Sequence, residues 1–270
     1  MAIAANSSTP DGLPGPKPGD SYVQSFARGL EVIRSFSAQS PQQTLSEVAM
    51  RSGLSRAGAR RILLTLQTLG YVTSDGKHFS LTPRILDLGF AYLSSMPIWG
   101  LAEPVMEGLA AEVKESCSAA VLEGTDIVYV MRVSTHKIMS IALGVGSRLP
   151  AYCTSMGRVL LAGLPDKDVI ACLKASRPAA LTRHTVTDLE ALRQKIDQTR
   201  KQGWSLVNQE LEEGLISMAA PIRDRSGRTV AALNISGQAN RSGAKLMQET
   251  MLPPLLAAAQ SISHMLNAQR

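Results

Sequence analysis

Two stretches of apolar residues at helical spacing lie on either side of a glycine in the first third of the chain. Leu45, Val48 and Ala49 form the first apolar stripe, and the second consists of Ala59, Ile62, Leu63, Leu66 and Leu69. Gly53 interrupts the chain between the stripes, and Ser55 occupies the position of a helix N-cap. The pattern predicts a helix-turn-helix.

The exposed side of the second predicted helix is basic near its start. Four positions there would face a DNA major groove: Arg56, Ala57, Arg60 and Arg61. Arginines can contact phosphates or pair with guanine, and a small residue lets the helix approach the bases. Thr44 and Ser55, at the starts of the two helices, complete the candidate DNA contacts of this pair. Such helix pairs also occur in domains that never bind nucleic acid, so the pairing alone leaves both interpretations open.

The residues after this pair favour DNA binding. Residues 71–73 and 78–81 read as short strands, and Asp75 with Gly76 between them is a typical hairpin turn. Lys77 lies at the hairpin tip, where it would contact the sugar-phosphate backbone. Helix, turn, basic helix and hairpin in this order predict a winged helix-turn-helix domain.

The remaining pattern divides the chain into four parts. We expect a flexible arm over residues 1–20, the winged domain over 21–82, a linker helix over 83–97 and a second domain over 98–270. The second domain is predicted to contain strands at 117–122, 126–133, 138–143, 204–208, 216–223 and 229–236, and later helices at 155–162, 166–174, 188–202 and 245–268. Strands, helices and strands in this order predict an α+β fold with an antiparallel sheet.

Composition supports a globular protein of two domains. The chain has 270 residues, of which 44% are hydrophobic and 4% aromatic, and its net charge of +6 is compatible with a polyanionic partner. Three cysteines without a C-x-x-C pair favour free thiols in a reducing compartment, so we expect a cytoplasmic protein. No apolar run is long enough to span a bilayer, and we expect no membrane partner.

The sequence contains no constellation of catalytic residues. It lacks the G-x-S-x-G, phosphate-loop and H-E-x-x-H motifs, and its four histidines lie in separate elements without metal-ligand spacing. Glu210, Glu212 and Glu213 are neighbouring carboxylates that we interpret as a solvated loop rather than a general acid and base. We therefore expect no enzyme, no metal site and no cofactor.

The second domain does contain small polar residues at the ends of its strands and helices. A glycine-rich segment leads into a helix that starts near Thr154 and Ser155, and the backbone N–H groups of a helix N-terminus favour a carboxylate. Either residue could instead serve only as the helix cap. Asn234 and Ser236 share one face of their predicted strand, where they could line a pocket with Ser217 or satisfy neighbouring strands.

The chain resembles the IclR family of bacterial transcription regulators from residue 22 to its C-terminus. The segments that carry the resemblance are residues 27–33, 53–72, 146–150, 157–162 and 219–237. Two of its segments, 147–158 and 208–215, are most similar to the PcaR, PcaU and PobR group, which regulates aromatic-acid catabolism. The resemblance implies a winged domain that dimerises, a linker helix and a GAF-like effector domain that binds a small organic acid.

Position within the family, together with the polar residues above, gives a candidate effector pocket. It consists of Ile138, Ile141, Thr154, Ser155, Met156, Ser217, Asn234 and Ser236. Some family members have acidic residues where this chain has Val207 and Asn208, and members that bind two- or three-carbon acids have a smaller residue than Met156. A longer or flatter ligand, contacted by a flexible thioether, is therefore expected here.

What the resemblance implies is a DNA-binding activator of an aromatic-acid degradation operon. Its effector would be an aromatic carboxylate such as protocatechuate, 4-hydroxybenzoate or terephthalate. Its partners would be double-stranded operator DNA, further copies in a homodimer or dimer of dimers, and RNA polymerase. Two alternatives stay open: a repressor that answers a short aliphatic acid such as pyruvate or glyoxylate, and, more remotely, an enzyme that acts on the aromatic acid.

Overall fold

The computed structural model describes residue 19 and residues 22–95, 98–134, 143–240 and 243–268. These residues group into two compact units, and the boundary between them in the sequence lies between residues 95 and 98. Within the described residues no single helix is long and apolar enough to cross a membrane. Pro83–Ser94 and Ile98–Val113 reach that length and apolar content only when they are counted together.

The N-terminal unit is a winged helix-turn-helix, as predicted. Its elements are α1 (Gln24–Arg34), β1 (Gln42–Thr44), α2 (Leu45–Arg51), α3 (Arg56–Thr68), β2 (Val72–Ser74) and β3 (His78–Leu81). The strands form an antiparallel sheet in the order β1-β3-β2. β1 is too short to show a periodic pattern, which is why the sequence did not predict it.

Side-chain caps fix where the two helices of this motif begin. The Thr44 hydroxyl accepts a hydrogen bond from the Glu47 N–H, and the Glu47 carboxylate accepts one from the Thr44 N–H, so α2 starts with a capping box. Ser55 caps α3 by accepting from the Gly58 N–H at 3.1 Å. Gly53, between the helices, has a φ of +65°, a conformation that glycine adopts without steric cost.

The predicted apolar stripes form the core of this unit, with one exception. Ala59, Leu63 and Leu66 of α3 are buried together with Val48 of α2. Leu69 is half exposed because α3 ends at Thr68, so the periodicity no longer turns this residue inward.

A linker helix follows the wing. It begins with a 3-10 turn at Pro83–Ile85 and continues as α4 (Leu86–Ser94). Proline at the first position of the turn suits a helix start, because its missing N–H would have no intrahelical partner there.

The C-terminal unit is built on one six-stranded sheet in which all neighbours are antiparallel. The strands are β4 (Ser116–Glu123), β5 (Asp126–Val133), β6 (Arg148–Pro150), β7 (Ser205–Asn208), β8 (Leu215–Arg223) and β9 (Thr229–Gln238). Their order across the sheet is β6-β5-β4-β9-β8-β7. The predicted strand at 138–143 lies almost wholly outside the described residues. Among the described residues the edge strand next to β5 is β6, which lies in the glycine-rich segment that leads into the helix at Ser155 and was not predicted as a strand.

Helices cover both faces of this sheet. The helices of the unit are α5 (Ile98–Val113), α6 (Ser155–Ala162), α7 (Asp166–Ser176), α8 (Leu189–Gln202), α9 (Ala244–Leu246) and, after a π turn at Met247–Met251, α10 (Leu252–Ala268). One core packs α6, α7 and α8 against the face that carries Tyr129, Ala219 and Ala232. We call this side the α6 face. On the opposite side, which packs against α5 and α10, the Cys117 thiol donates to the Met106 carbonyl of α5.

Candidate functional sites

The exposed face of α3 carries the basic residues that the sequence analysis assigned to DNA. Arg56, Ala57, Arg60 and Arg61 are all exposed, because Ala59 and the apolar stripe beyond it turn toward the core. Among the residues that the structure describes, none of the three arginines has an ion-pair partner. Their charges are therefore available to an anionic partner such as a phosphate backbone.

The wing presents Lys77 on a tight turn. The Asp75 carboxylate accepts hydrogen bonds from the Lys77 N–H at 2.8 Å and from the His78 N–H at 2.7 Å. These bonds favour the charged carboxylate, so they lower the pKa of Asp75 to about 2. Gly76 has a φ of +95°, which lets the chain reverse at the tip. Lys77 is exposed at this tip, as the hairpin pattern predicted.

A cavity lies between the N-terminus of α6 and the sheet, and it brings together six of the eight residues of the candidate effector pocket. These are Thr154, Ser155, Met156, Ser217, Asn234 and Ser236. The other two, Ile138 and Ile141, lie outside the described residues. The cavity volume is about 20 Å³, and the empty space rises to about 400 Å³ when the open mouth is included.

Several apolar residues of the cavity wall were missed by the sequence analysis. Tyr129 and Leu149 approach from β5 and β6, and Leu211 and Leu215 approach from the segment around the start of β8. Alternation along β5 could have suggested Tyr129, since a strand places every second side chain on one face. Leu211 lies in a loop without periodicity, so no sequence signal marked it.

The polar groups at the start of α6 separate into a cap and a free pair of donors. Thr154 is the helix cap, because its hydroxyl accepts from the Gly157 N–H at 3.2 Å and donates to the Pro150 carbonyl at 3.1 Å. The Ser155 hydroxyl donates to the Ser217 hydroxyl of β8 at 2.9 Å, which ties the helix to the sheet. The backbone N–H groups of Ser155 and Met156 have no acceptor among the described residues.

Asn234 brings an unsatisfied acceptor to the same cavity. Its side-chain Nδ2 donates to the Ser236 hydroxyl at 2.9 Å, whereas its Oδ1 is buried and has no partner among the described residues. Asn234 is only 3% exposed, and a buried polar atom without a partner is costly. A ligand group or water that donates a hydrogen bond would satisfy this oxygen.

A buried ion pair supports the helix behind the cavity. The Arg158 guanidinium donates to the Glu210 carboxylate at 2.6 Å, and side-chain exposure is 2% and 7% respectively. Arg158 also donates to the Tyr152 carbonyl, and Glu210 accepts from the Val186 N–H. The expectation that Glu210 belongs to a solvated loop was wrong, because a partner 52 residues away in the sequence takes it into the core.

Gly157 allows α6 to pack closely against the preceding turn. A Cβ atom at this position would collide with the backbone of Ala151. The helix N-terminus can therefore reach the sheet only with glycine here.

No cluster of three or more histidine, cysteine, aspartate or glutamate side chains within the described ranges is placed to bind a metal ion. The described residues form a basic winged motif and a separate unit with a small, partly polar cavity. This combination defines a DNA-binding transcription regulator with a ligand-binding domain.

Comparison with known proteins identifies the family. Residues 25–76 match the IclR helix-turn-helix domain, and residues 90–264 match the bacterial transcriptional regulator IclR C-terminal domain. The chain belongs to the IclR family.

Two curated relatives are named as regulators, one of the Pca regulon and one of p-hydroxybenzoate hydroxylase. The Pca regulon regulatory protein of Pseudomonas putida is 44% identical over 246 residues, which cover 91% of this chain and 84% of that protein. The p-hydroxybenzoate hydroxylase transcriptional activator of Acinetobacter baylyi is 32% identical over 251 residues, which cover 91% of this chain and 93% of that protein. The resemblance to the group that regulates aromatic-acid catabolism is thus confirmed.

Two solved structures share the fold. A regulator from Rhodococcus sp. RHA1 has a TM-score of 0.83 and 49% identity, with 91% of this chain and 98% of that chain covered. An IclR homologue from Microbacterium hydrocarbonoxydans, in complex with 4-hydroxybenzoate, has a TM-score of 0.80 and 27% identity, with 91% and 100% covered. The predicted α+β architecture of winged domain and antiparallel-sheet domain is confirmed.

Proposed function

We propose that this regulator activates an operon for aromatic-acid degradation when an aromatic carboxylate occupies the cavity beneath α6. The observation that carries the proposal is the combination of free donors, on the Ser155 and Met156 backbone, with a free acceptor, on Asn234, in an otherwise largely apolar cavity. A flat acid with an apolar ring and polar ends is complementary to such a site. The names of the two relatives and the 4-hydroxybenzoate in the Microbacterium complex support this ligand class.

The ligand carboxylate would lie at the N-terminus of α6. Two backbone N–H groups and the positive end of the helix dipole favour a negative charge there. The ring would contact the Met156 thioether, which adapts its shape to flat ligands. Ile138 and Ile141, which lie outside the described residues, are proposed as further ring contacts.

The DNA-binding half of the proposal rests on α3 and the wing. Arg56, Ala57, Arg60 and Arg61 would enter the major groove, with Thr44 and Ser55 near the backbone and Lys77 on a phosphate. A dimer or a dimer of dimers would bind a partly palindromic operator, because operator symmetry mirrors protein symmetry. We place the regulator in the cytoplasm, where operator DNA and RNA polymerase are its partners.

Activation requires that the effector bind one arrangement of the protein more tightly than another. A ligand of equal affinity for both arrangements would not shift their populations. The linker of Pro83–Ile85 and α4 connects the two units in the chain, so we propose it as the element that transmits the change.

The effector half is tested by calorimetry with a panel of aromatic and short aliphatic acids. Micromolar binding of a benzoate-type acid supports the proposal, and Ser155→Leu should weaken that binding because leucine fills the space above Ser217. An unchanged affinity in Ser155→Leu would mean that the cavity is not the effector site. Binding of pyruvate or glyoxylate alone would contradict the aromatic effector, and turnover of the acid would contradict a purely regulatory role.

The DNA half is tested with a promoter fragment and fluorescence anisotropy. Arg60→Ala should abolish specific binding and leave acid affinity unchanged, whereas Lys77→Ala should weaken binding to all sequences and reduce the salt dependence by about one phosphate contact. Arg193→Ala, an exposed arginine on α8, is the matched control and should bind DNA like the parent. Wild-type operator affinity in Arg60→Ala would remove α3 from the proposed interface.

A further inference from the structure

A β-bulge brings a further arginine, Arg132, to the α6 face. The register of β4 and β5 shifts between Ala119 and Ala120, so that Ser118 opposes Arg132 while Ala120 opposes Tyr129. Residues three apart point to opposite faces of a regular strand, but the extra residue of a bulge returns them to the same face. Tyr129 lines the cavity, so Arg132 lies on the same face of the sheet as the cavity, next to the residues that line it.

The pairing on the other side of β4 leads to the same placement. Ser118 opposes Asn234 of β9, and directly opposed residues share one face of a sheet. The Arg132 guanidinium donates to the Ser118 hydroxyl at 3.5 Å, so the side chain reaches β4, where Ser118 is the direct neighbour of Asn234. Arg132, Ser118 and Asn234 therefore form a row of polar residues on this face, and Asn234 is the member that lines the cavity.

The charge of Arg132 is not neutralised by the residues that the structure describes. Its partners are two hydroxyls, of Ser118 and Ser134, and no described carboxylate lies within ion-pair distance. Other arginines of this unit do pair with carboxylates, as Arg148 does with Asp126. Arg132 is only half buried, so a ligand can reach it.

The charge of Arg132 acts on Tyr129, which lines the cavity. Burial raises the pKa of Tyr129 to about 12, and the positive charge of Arg132 opposes this shift. The α6 face thus has two anion-favouring poles, of which the second lies beside the residues that line the cavity. One is the N-terminus of α6 above Ser217 on β8, and the other is the guanidinium above Ser118 on β4. Only β9 lies between these strands, so the poles are roughly 10 Å apart across the sheet.

We infer that Arg132 is the second anion-binding group of this cavity, and that the effector is a diacid with a carboxylate at each end of a flat or extended skeleton. This inference rests on the proposed effector function of the cavity. A guanidinium binds a carboxylate through two parallel hydrogen bonds, which are stronger than bonds between neutral groups. Among the aromatic acids considered above, terephthalate has the required second carboxylate opposite the first.

The test compares diacids with matched monoacids by calorimetry on the full chain. The probes are terephthalate with benzoate, and adipate with hexanoate. The wild type should bind at least one diacid about tenfold or more tightly than its monoacid, which is the effect of one charge-assisted contact. Arg132→Met should remove this preference and leave monoacid affinity within about twofold, whereas Arg132→Lys should retain part of it.

Two controls make the result specific. Arg193→Met removes the same charge from the surface of α8, so it should keep the diacid preference. The thermal unfolding midpoint of Arg132→Met should stay close to that of the wild type, because the substitution breaks no ion pair with a described carboxylate. Equal affinity of the wild type for diacids and monoacids would overturn the inference, as would an undiminished preference in Arg132→Met. Failure of every aromatic acid to bind would refute the aromatic effector alone, and the aliphatic pair would then decide the role of Arg132.

Discussion

The buried pair of Arg158 and Glu210 gives the sharpest test of how the effector unit is held together. Glu210→Leu leaves a guanidinium at 2% exposure without its counter-charge, and Arg158→Met leaves a buried carboxylate. Removing one member of a buried ion pair costs about 3–5 kcal/mol. In a unit of this size 1 kcal/mol shifts the midpoint by about 2–4 °C, so each single variant should unfold roughly 6–20 °C lower.

The double variant Arg158→Met with Glu210→Leu separates charge from packing. It removes both charges, so it should be no less stable than the worse single variant, although the Tyr152 carbonyl and the Val186 N–H then lack their partners. The exposed pair of Arg193 and Glu190 is the control, and Arg193→Met should cost at most about 1 kcal/mol.

Tryptophan fluorescence is the appropriate assay, because the only two tryptophans of the chain, Trp99 and Trp204, both belong to the C-terminal unit. Urea or thermal unfolding followed in this way reports the unit that contains the ion pair. If both single variants unfolded within about 1 kcal/mol of the wild type, the pair would be energetically neutral. In that case the ion pair would not anchor α6.

Four further predictions concern other parts of the chain. Gly157→Ala should lower both the unfolding midpoint and acid affinity, because its Cβ collides with the turn before α6; unchanged binding would contradict this packing argument. Thr44→Ala should destabilise the winged unit by about 1 kcal/mol through loss of the capping box, measured as faster amide exchange in α2. Because the pKa of Asp75 is lowered, the stability that its carboxylate gives the wing tip is fully present above pH 3.8 and is lost as the pH falls through about 2. NMR titration of this carboxyl group measures the pKa, and a midpoint near 4 would contradict the lowered value. Burial raises the pKa of Cys117 and Cys153 to about 12, so alkylation at pH 8 should require unfolding, and rapid labelling of the native protein would show that these thiols are accessible.

Local periodicity was sufficient for much of the fold but not for all of the cavity. The bounds of α6 could be predicted because its cap and apolar spacing lie within a few residues of each other. The burial of Glu210 could not, since it depends on a partner 52 residues away. The side of the sheet on which Arg132 lies could not be predicted either, because a bulge reverses the alternation of side chains that a sequence pattern assumes.

β9 contributes to two cores at once. Asn234 and Ser236 face α6, whereas Ile235 between them opposes Cys117 and is fully buried on the side of α5 and α10. Side chains on the cavity side can therefore change in size and polarity while the scaffold on the other side keeps its packing. Under the proposed function, ligand preference can evolve one row of side chains at a time, without a redesign of the sheet that carries it.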